Sequence, residues 1–299
     1  MFGRRVVTGP EGVVSDGQAP LTVDAAGGFG VTEVLWLDGP VRTVADGSDR
    51  TGGGFPLEPP AGGASSRIIR MPLIGEWVRV AGDDDAAPGM HATDTLDLMV
   101  VLDGEILLGM ADGTETTVRA GDAVVQRGTL HRWRVSGDGP CTYWVTMLRP
   151  DPGAVPVALA PRAGDFGRRL VTGGDGVVEY PASVGIGAVY DVWQTGGPLG
   201  SVDQGGDPDG PWTLPTPAGS VALRLVEMPP GEPTEAGWHT TDTIDIDVVL
   251  SGRVGMELPG GVTVELEPGD SVVQRGTNHR WWAIGDEPAR WAAVMWAVT

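Results

Sequence analysis

The chain has 299 residues, 20 Lys and Arg against 40 Asp and Glu, and a formal net charge of −20. Such an acidic surface repels phosphate backbones and anionic lipid, which argues against a nucleic-acid or membrane partner. Hydrophobic residues make up 41% of the chain, enough to bury real cores and too many for a disordered acidic protein, yet no run approaches the roughly 18 apolar residues of a helical membrane span.

The chain opens on F-G-R-R-V-V-T-G at 2–9, which has basic residues but no apolar run behind them. It reads as an arm strand and not as a signal peptide. One cysteine, Cys141, excludes an intrachain disulfide, so the cytoplasm is the expected location. The octapeptide returns as F-G-R-R-L-V-T-G at 166–173. Arg4, Arg5, Arg168 and Arg169 are expected to meet the acidic surface of the opposite half. Met71-Pro72 returns as Met228-Pro229, H-A-T-D-T-L-D at 91–97 as H-T-T-D-T-I-D at 239–245, and V-V-Q-R-G-T-L-H-R-W at 124–133 as V-V-Q-R-G-T-N-H-R-W at 272–281. The second half therefore reads as a duplicate of the first. It is shortened around 44–64 and 80–89, which read as loops. This divides the chain into a first domain, 1–150 with its arm, a Pro-rich extended linker, 151–165, and a second domain, 166–299 with its own arm.

Strand signals are dense within each copy. Residues 95–102 alternate and meet Asp103-Gly104, which reads as a hairpin turn. Residues 105–110 lead to Asp112-Gly113, a second such turn; further strands follow at A-V-V-Q-R, H-R-W-R-V and C-T-Y-W-V-T-M-L. Ser251-Gly252, Pro259-Gly260-Gly261 and Gly269-Asp270 mark the matching turns of the second copy. No amphipathic helix of three turns is present. Short strands between glycine turns predict an all-β sandwich or barrel.

All four histidines of the chain, His91, His131, His239 and His279, lie in these matched motifs. On an extended strand residues two apart share a face. His239, Thr241, Thr243, Asp245 and Asp247 then form a polar face, and Ile244, Ile246, Val248 and Leu250 an aliphatic one that must be buried. The expectation is a face-to-face pair of barrels, or a homo-oligomer. His91, Thr93 and Asp97 share a face in the first copy, and His131 and His279 join from a later strand. Two imidazoles and a carboxylate with open positions suit a divalent transition metal; a metal-free hydrogen-bonded network is the alternative.

At these motifs the chain resembles the bicupins, proteins with two cupin domains in tandem, over nearly its whole length. His91 and His239 match the first histidine of the first cupin motif, Asp97 and Asp245 its glutamate, and Gly104 and Gly252 its closing glycine. Gly121, Gly128 and His131, with Gly269, Gly276 and His279, match the second motif. The departures are Thr93 and Thr241 in place of the second histidine, aspartate in place of glutamate, and Gln126-Arg127 in place of the proline region. The resemblance implies two tandem jelly-roll β-barrels packed together, each with a central pocket. It also implies a metal held by His91, Asp97 and His131 or by His239, Asp245 and His279. Iron or manganese is expected first, with zinc and nickel as alternatives, and the departures allow one or both domains to lack metal.

Further pocket residues follow from strand alternation. Trp133 and Trp281, two beyond their histidines, would form an aromatic wall or ordinary core. Gln126 and Gln274 could hydrogen-bond a substrate oxygen or close a strand end. Arg127 and Arg275 would bind a carboxylate or form a salt bridge. Asp247 and Asn278, where the first copy has Met99 and Leu130, would make the second pocket the more polar and the favoured working site, with His239, Asp245, His279 and Thr241 as its catalytic group. Three functions are weighed for a small organic, aromatic or carboxylate-bearing partner. The first is a metal-dependent, oxygenase-type enzyme. The second is a decarboxylase, isomerase or cyclase using His–Asp acid–base chemistry. The third is a binding protein without turnover.

Overall fold

The computed structural model describes residues 3–9, 12–18, 22–23, 29–48, 56–79, 84, 86–159, 166–173, 176–184, 189–208 and 213–299. Parts of the expected loops, 49–55, 80–83 and 85, and of the expected linker, 160–165, lie outside them. The described chain is all β apart from one 3-10 turn, Glu235–Gly237. No described helix is long and apolar enough to cross a membrane.

The first half contributes β1 (Arg4–Gly9), β2 (Gly12–Gln18), β3 (Thr22–Val23), β4 (Gly30–Leu37), β5 (Ala64–Met71), β6 (Leu96–Asp103), β7 (Glu105–Met110), β8 (Glu115–Arg119), β9 (Ala123–Arg127), β10 (His131–Val135) and β11 (Cys141–Leu148). The second contributes β12 (Phe166–Gly173), β13 (Gly176–Val184), β14 (Val189–Gln194), β15 (Val221–Met228), β16 (Thr243–Ser251), β17 (Arg253–Leu258), β18 (Val262–Leu266), β19 (Ser271–Arg275), β20 (Arg280–Ile284) and β21 (Ala289–Ala297). One long sheet runs β2-β1-β19-β16-β21-β15-β14-β13-β12-β9-β6-β11-β5-β4-β3 through both halves. Two three-stranded sheets, β10-β7-β8 and β18-β17-β20, each face one part of it. The architecture is a jelly-roll sandwich in each half; the facing sheets are not hydrogen-bonded into closed rings.

The arms cross over. Strand β1 runs parallel to β19, with Arg5, Val6 and Val7 opposite Ser271, Val272 and Val273. Strand β12 runs parallel to β9, with Arg169, Leu170 and Val171 opposite Ala123, Val124 and Val125. Each arm thus extends the other half's sheet. The arginines behave differently from the expectation of surface pairing. Arg4 sits beside Asp16 at 3.0 Å, on the strand next to its own, and donates to the Glu265 carbonyl at 2.9 Å. Arg5 is buried and donates to the Val34 carbonyl at 2.8 Å. Arg169 is fully buried against Asp207 at 2.9 Å. The Arg168 side chain lies outside the described residues.

Strand alternation explains where the cores sit. Leu96, Leu98 and Val100 of β6 and Ile244, Ile246 and Val248 of β16 point away from the histidine faces and meet, with Trp144 and Trp193, in one hydrophobic core between the halves. The aliphatic faces are therefore covered within one chain. Two smaller cores fill the gap between each three-stranded sheet and the long sheet, one around Met99, Ile106, Leu108 and Val124, the other around Val249, Val254, Met256 and Val272.

Asp103-Gly104 does turn, with Gly104 at φ 80°, but it is not a hairpin: β6 belongs to the long sheet and β7 to the three-stranded one. The chain changes sheets there, as a jelly roll requires. The matching Gly252 has φ +72°, and a Cβ on it would lie 2.6 Å from the Pro288 carbonyl oxygen and 2.8 Å from the Ala289 Cα. Gly260 has φ +84° with nothing within 4 Å of such a Cβ. Gly260→Ala is expected to cost only the left-handed penalty of about 1–2 kcal/mol. Gly252→Ala should cost clearly more, because backbone must also move. Equal losses in denaturant unfolding would show that the crossing point absorbs a methyl group.

Candidate functional site

Each half places its two histidines on one isolated antiparallel bridge, His91 with His131 and His239 with His279. The backbones of the second pair exchange both N–H···O bonds at 3.0 Å, which sets the two side chains on one face. The imidazole centroids are 4.3 Å apart in the second half and 4.4 Å in the first. Every Nδ1 lies against the backbone carbonyl two residues earlier: Gly89 at 2.8 Å, Thr129 at 2.8 Å, Gly237 at 2.9 Å and Thr277 at 2.7 Å. A carbonyl only accepts, so each Nδ1 carries a proton, and a neutral ring held this way has its lone pair on Nε2. Trp133 and Trp281 stand edge-on to His131 and His279 at 5.6 and 5.5 Å.

The second cavity, about 150 Å³, is lined by His239, Thr241, Asp245, Asp247, His279 and Trp281, with Trp291 and Arg224 from the neighbouring strands. The first, about 100 Å³, is lined by His91, Thr93, Asp97, Gln126, His131 and Trp133, with Met99 in the place of Asp247 and Tyr143 in that of Trp291. In the second cavity Thr243 donates to Thr241 at 2.7 Å and Thr241 donates to Asp245 Oδ2 at 3.2 Å. Thr241 therefore orients the carboxyl group. Asp97 Oδ1 and Asp245 Oδ1 are buried without a hydrogen-bond partner.

Burial sets the charge states. It pushes the Asp97 carboxyl up to about 7 and Asp245 up to about 6, against partial relief from the nearby threonines. Asp247 is driven well above the usual carboxylate range by burial and then by Asp245, despite a hydrogen bond from Trp291. Burial, followed by the neighbouring imidazole, lowers His131 to about 3 and His279 to about 4. At neutral pH these two rings are uncharged bases beside carboxyls that hold protons unusually well.

Several expected site residues lie elsewhere. Arg275 donates across to the first half, to the carbonyls of Val44 at 3.2 Å, Asp46 at 2.5 Å and Gly47 at 3.1 Å. Arg127 meets the Asp203 carboxylate at 3.3 Å in the second half. Both join the halves, and neither is among the residues that line the two histidine cavities. Asn278 is exposed and accepts from Thr240 at 3.3 Å, because the turn at Gly276 resets the alternation. Gln274 is buried between Thr8 and Met256. Gln126 does line its cavity, with Nε2 held by Thr129 at 2.8 Å.

The sequence reading missed Arg224. Its Nε donates to Asp191 at 2.8 Å, Nη1 to the Leu214 carbonyl at 2.6 Å and Nη2 to the Thr213 carbonyl at 2.8 Å. It thereby ties the 213–214 segment over the cavity, which Leu214 lines. Arg67 does the same with Pro56 at 2.8 Å and Leu57 at 3.2 Å, near Glu33. The overlooked sign was an arginine at the same place in two matching strands, four residues before each Met-Pro.

A metal was expected at each three-residue set. Among the described residues no group of three His, Cys, Asp or Glu is placed to hold one ion. His91, Asp97 and His131 line one cavity without converging, as do His239, Asp245 and His279. Each imidazole pair offers two Nε2 donors, but no carboxylate completes a three-donor set with them among the described residues, so the donors do not fit the two-histidine, one-carboxylate arrangement of non-haem iron.

Residues 224–296 match the family model of the cupin domain, a span that runs from within β15 into β21. Oryzines biosynthesis cluster protein J of Aspergillus oryzae is 41% identical over 71 residues, 24% of this chain and 37% of that protein. The cupin-domain-containing oxidoreductase fogC of Aspergillus ruber is 41% identical over 80 residues, 26% of this chain and 38% of that protein. The chain thus spans little more than a third of the length of these relatives. The crystal structure of AerE from Microcystis aeruginosa superposes with a TM-score of 0.50 at 10% identity, covering 93% of this chain and 97% of that one. At that identity the likeness concerns the fold alone.

Proposed function

We propose that the chain is an enzyme that binds a small, largely apolar organic molecule in the second cavity and moves a proton on it. The observation that carries this reading is the His239–His279 pair, whose Nδ1–H groups are committed to the backbone while the Nε2 lone pairs stand in an apolar cavity beside Asp245. His279 Nε2 takes a proton from an acidic C–H of the ligand, and the Asp245 carboxyl returns one at a second atom. One C–H bond breaks, another forms, and proton exchange between the imidazolium and the carboxylate resets the site. The net result is an isomerisation, and the enclosed cavity limits competing water. Trp281 walls the ligand and Thr241 orients the carboxyl.

A second reading has its own support in the name of fogC as an oxidoreductase. There the imidazole pair would hold a divalent ion, which would supply redox chemistry. One experiment separates the two: elemental analysis of the purified protein, followed by proton exchange into a panel of small C–H acids in D₂O, read by NMR. The acid–base reading expects exchange without stoichiometric metal, reduced about 100-fold or more in His279→Ala and retained in His131→Ala. Stoichiometric iron or manganese lost in His279→Ala would overturn it in favour of the redox reading.

A further inference from the structure

The two cavities differ most at the position two residues beyond the shared aspartate. Asp245 and Asp247 both line the second cavity, each about nine-tenths buried or more, at 7% exposure. They stand on one face of β16, so two carboxyl groups share one water-poor space. Asp245 Oδ1 has no hydrogen-bond partner. The cation that lines the cavity, Arg224, is matched by its own carboxylate, Asp191, and spends its other donors on the Thr213 and Leu214 carbonyls. That leaves the cavity with an excess of carboxyl groups. Beside them Trp281 and Trp291 stand with centroids 5.6 Å apart and planes inclined by 32°, an aromatic wall of the kind that attracts a cation through its ring faces. In the first cavity Met99 replaces Asp247, so the carboxyl pair is gone, and Tyr143 stands in the place of Trp291.

Buried carboxylates are tolerated when a cation pairs with them, and among the described residues that line this cavity Arg224 is the one such cation. We propose that the second cavity takes an organic ligand bearing a protonated amine, seated against Asp245 and Asp247 with its hydrocarbon part on Trp281 and Trp291. This rests on the reading of the second cavity as the working site and narrows its substrate class to small amines.

The test is isothermal titration calorimetry of the whole chain with benzylamine, benzyl alcohol and benzoate, which share a ring and differ in charge. Benzylamine should bind about tenfold or more tighter than benzyl alcohol, the value of a desolvated cation contact, with benzoate weakest. Asp247→Met, which installs the residue the first half carries at this place, should abolish the preference for benzylamine while benzyl alcohol still binds. Retained benzyl alcohol binding also shows that the variant is folded. Three results would overturn the proposal: no heat with benzylamine at millimolar concentration, tighter binding of benzoate, or an amine preference that survives Asp247→Met. Calorimetry reads binding without turnover. Amine binding through Asp247 together with no proton exchange would therefore sink the isomerase reading and leave this one intact.

Discussion

Arg169→Ala should destabilise the chain by about 3–5 kcal/mol, the cost of leaving one partner of a buried ion pair uncompensated. Arg169 is fully buried, and its guanidinium donates to both oxygens of Asp207, at 2.9 and 3.1 Å, and to the Val192 carbonyl. It sits on β12, the arm strand that pairs with β9 of the first half, while Asp207 and Val192 belong to the second. One side chain therefore ties the crossed arm back to its own half. At roughly 2–4 °C per kcal/mol for chains of this size, the melting temperature should fall on the order of 10 °C. Asp207→Ala should cost a similar amount. The double variant Arg169→Met/Asp207→Leu should recover much of the loss, because an apolar pair of similar volume needs no desolvation. Arg290→Ala is the contrast. Its pair with Glu227 is 54% and 32% exposed, so it should stay within about 0.5 kcal/mol of the wild type. A loss under about 1 kcal/mol for Arg169→Ala in denaturant unfolding would show that the arm is held by its backbone ladder alone.

This pair also marks where sequence reasoning stops. F-G-R-R-L-V-T-G reads as a strand from its own residues, but nothing local says that the strand pairs with A-V-V-Q-R of the other half, since a ladder partner is chosen by backbone and topology. The histidine faces were legible, because period-two alternation puts His239, Thr241, Asp245 and Asp247 on one side of β16 and Ile244, Ile246 and Val248 on the other whatever the strand packs against. Alternation failed where the backbone leaves the extended conformation. Arg275 lies at the end of β19 and Asn278 beyond the Gly276 turn, and both point out of the cavity. Asp103-Gly104 was legible as a turn, but a hairpin and a change of sheet share the same turn chemistry. Whether three metal donors converge was the least legible question, because it depends on distances between separate strands. Arg224, by contrast, left a readable mark. A buried charged residue is costly unless it is paired, and an arginine recurs at the same place in both repeats, at Arg67 and Arg224.

The first cavity yields the second large expectation, that wild-type stability hides two opposed pH dependences. Burial raises Asp97 from 3.8 to about 7, so between those values the folded chain holds a proton that the unfolded chain has lost. Stability from this group is complete below about pH 4 and falls as pH rises through 7. Burial lowers His131 from 6.5 to about 3, so between those values the unfolded chain binds the extra proton and stability rises with pH. Between pH 5 and pH 8 linkage assigns a loss of about 2–3 kcal/mol to Asp97 and a gain of about 2 kcal/mol to His131. In the wild type the two nearly cancel. Asp97→Asn removes the first alone. Measured against the wild type at each pH, it should therefore gain about 2–3 kcal/mol of relative stability from pH 5 to pH 8. His131→Gln should lose about 2 kcal/mol over the same range. Subtracting the wild-type curve removes what every other titrating group contributes. Parallel curves for all three proteins would mean that Asp97 titrates in the folded chain as it does in the unfolded one. The buried, unpartnered Oδ1 would then have to be reached by water or a cation.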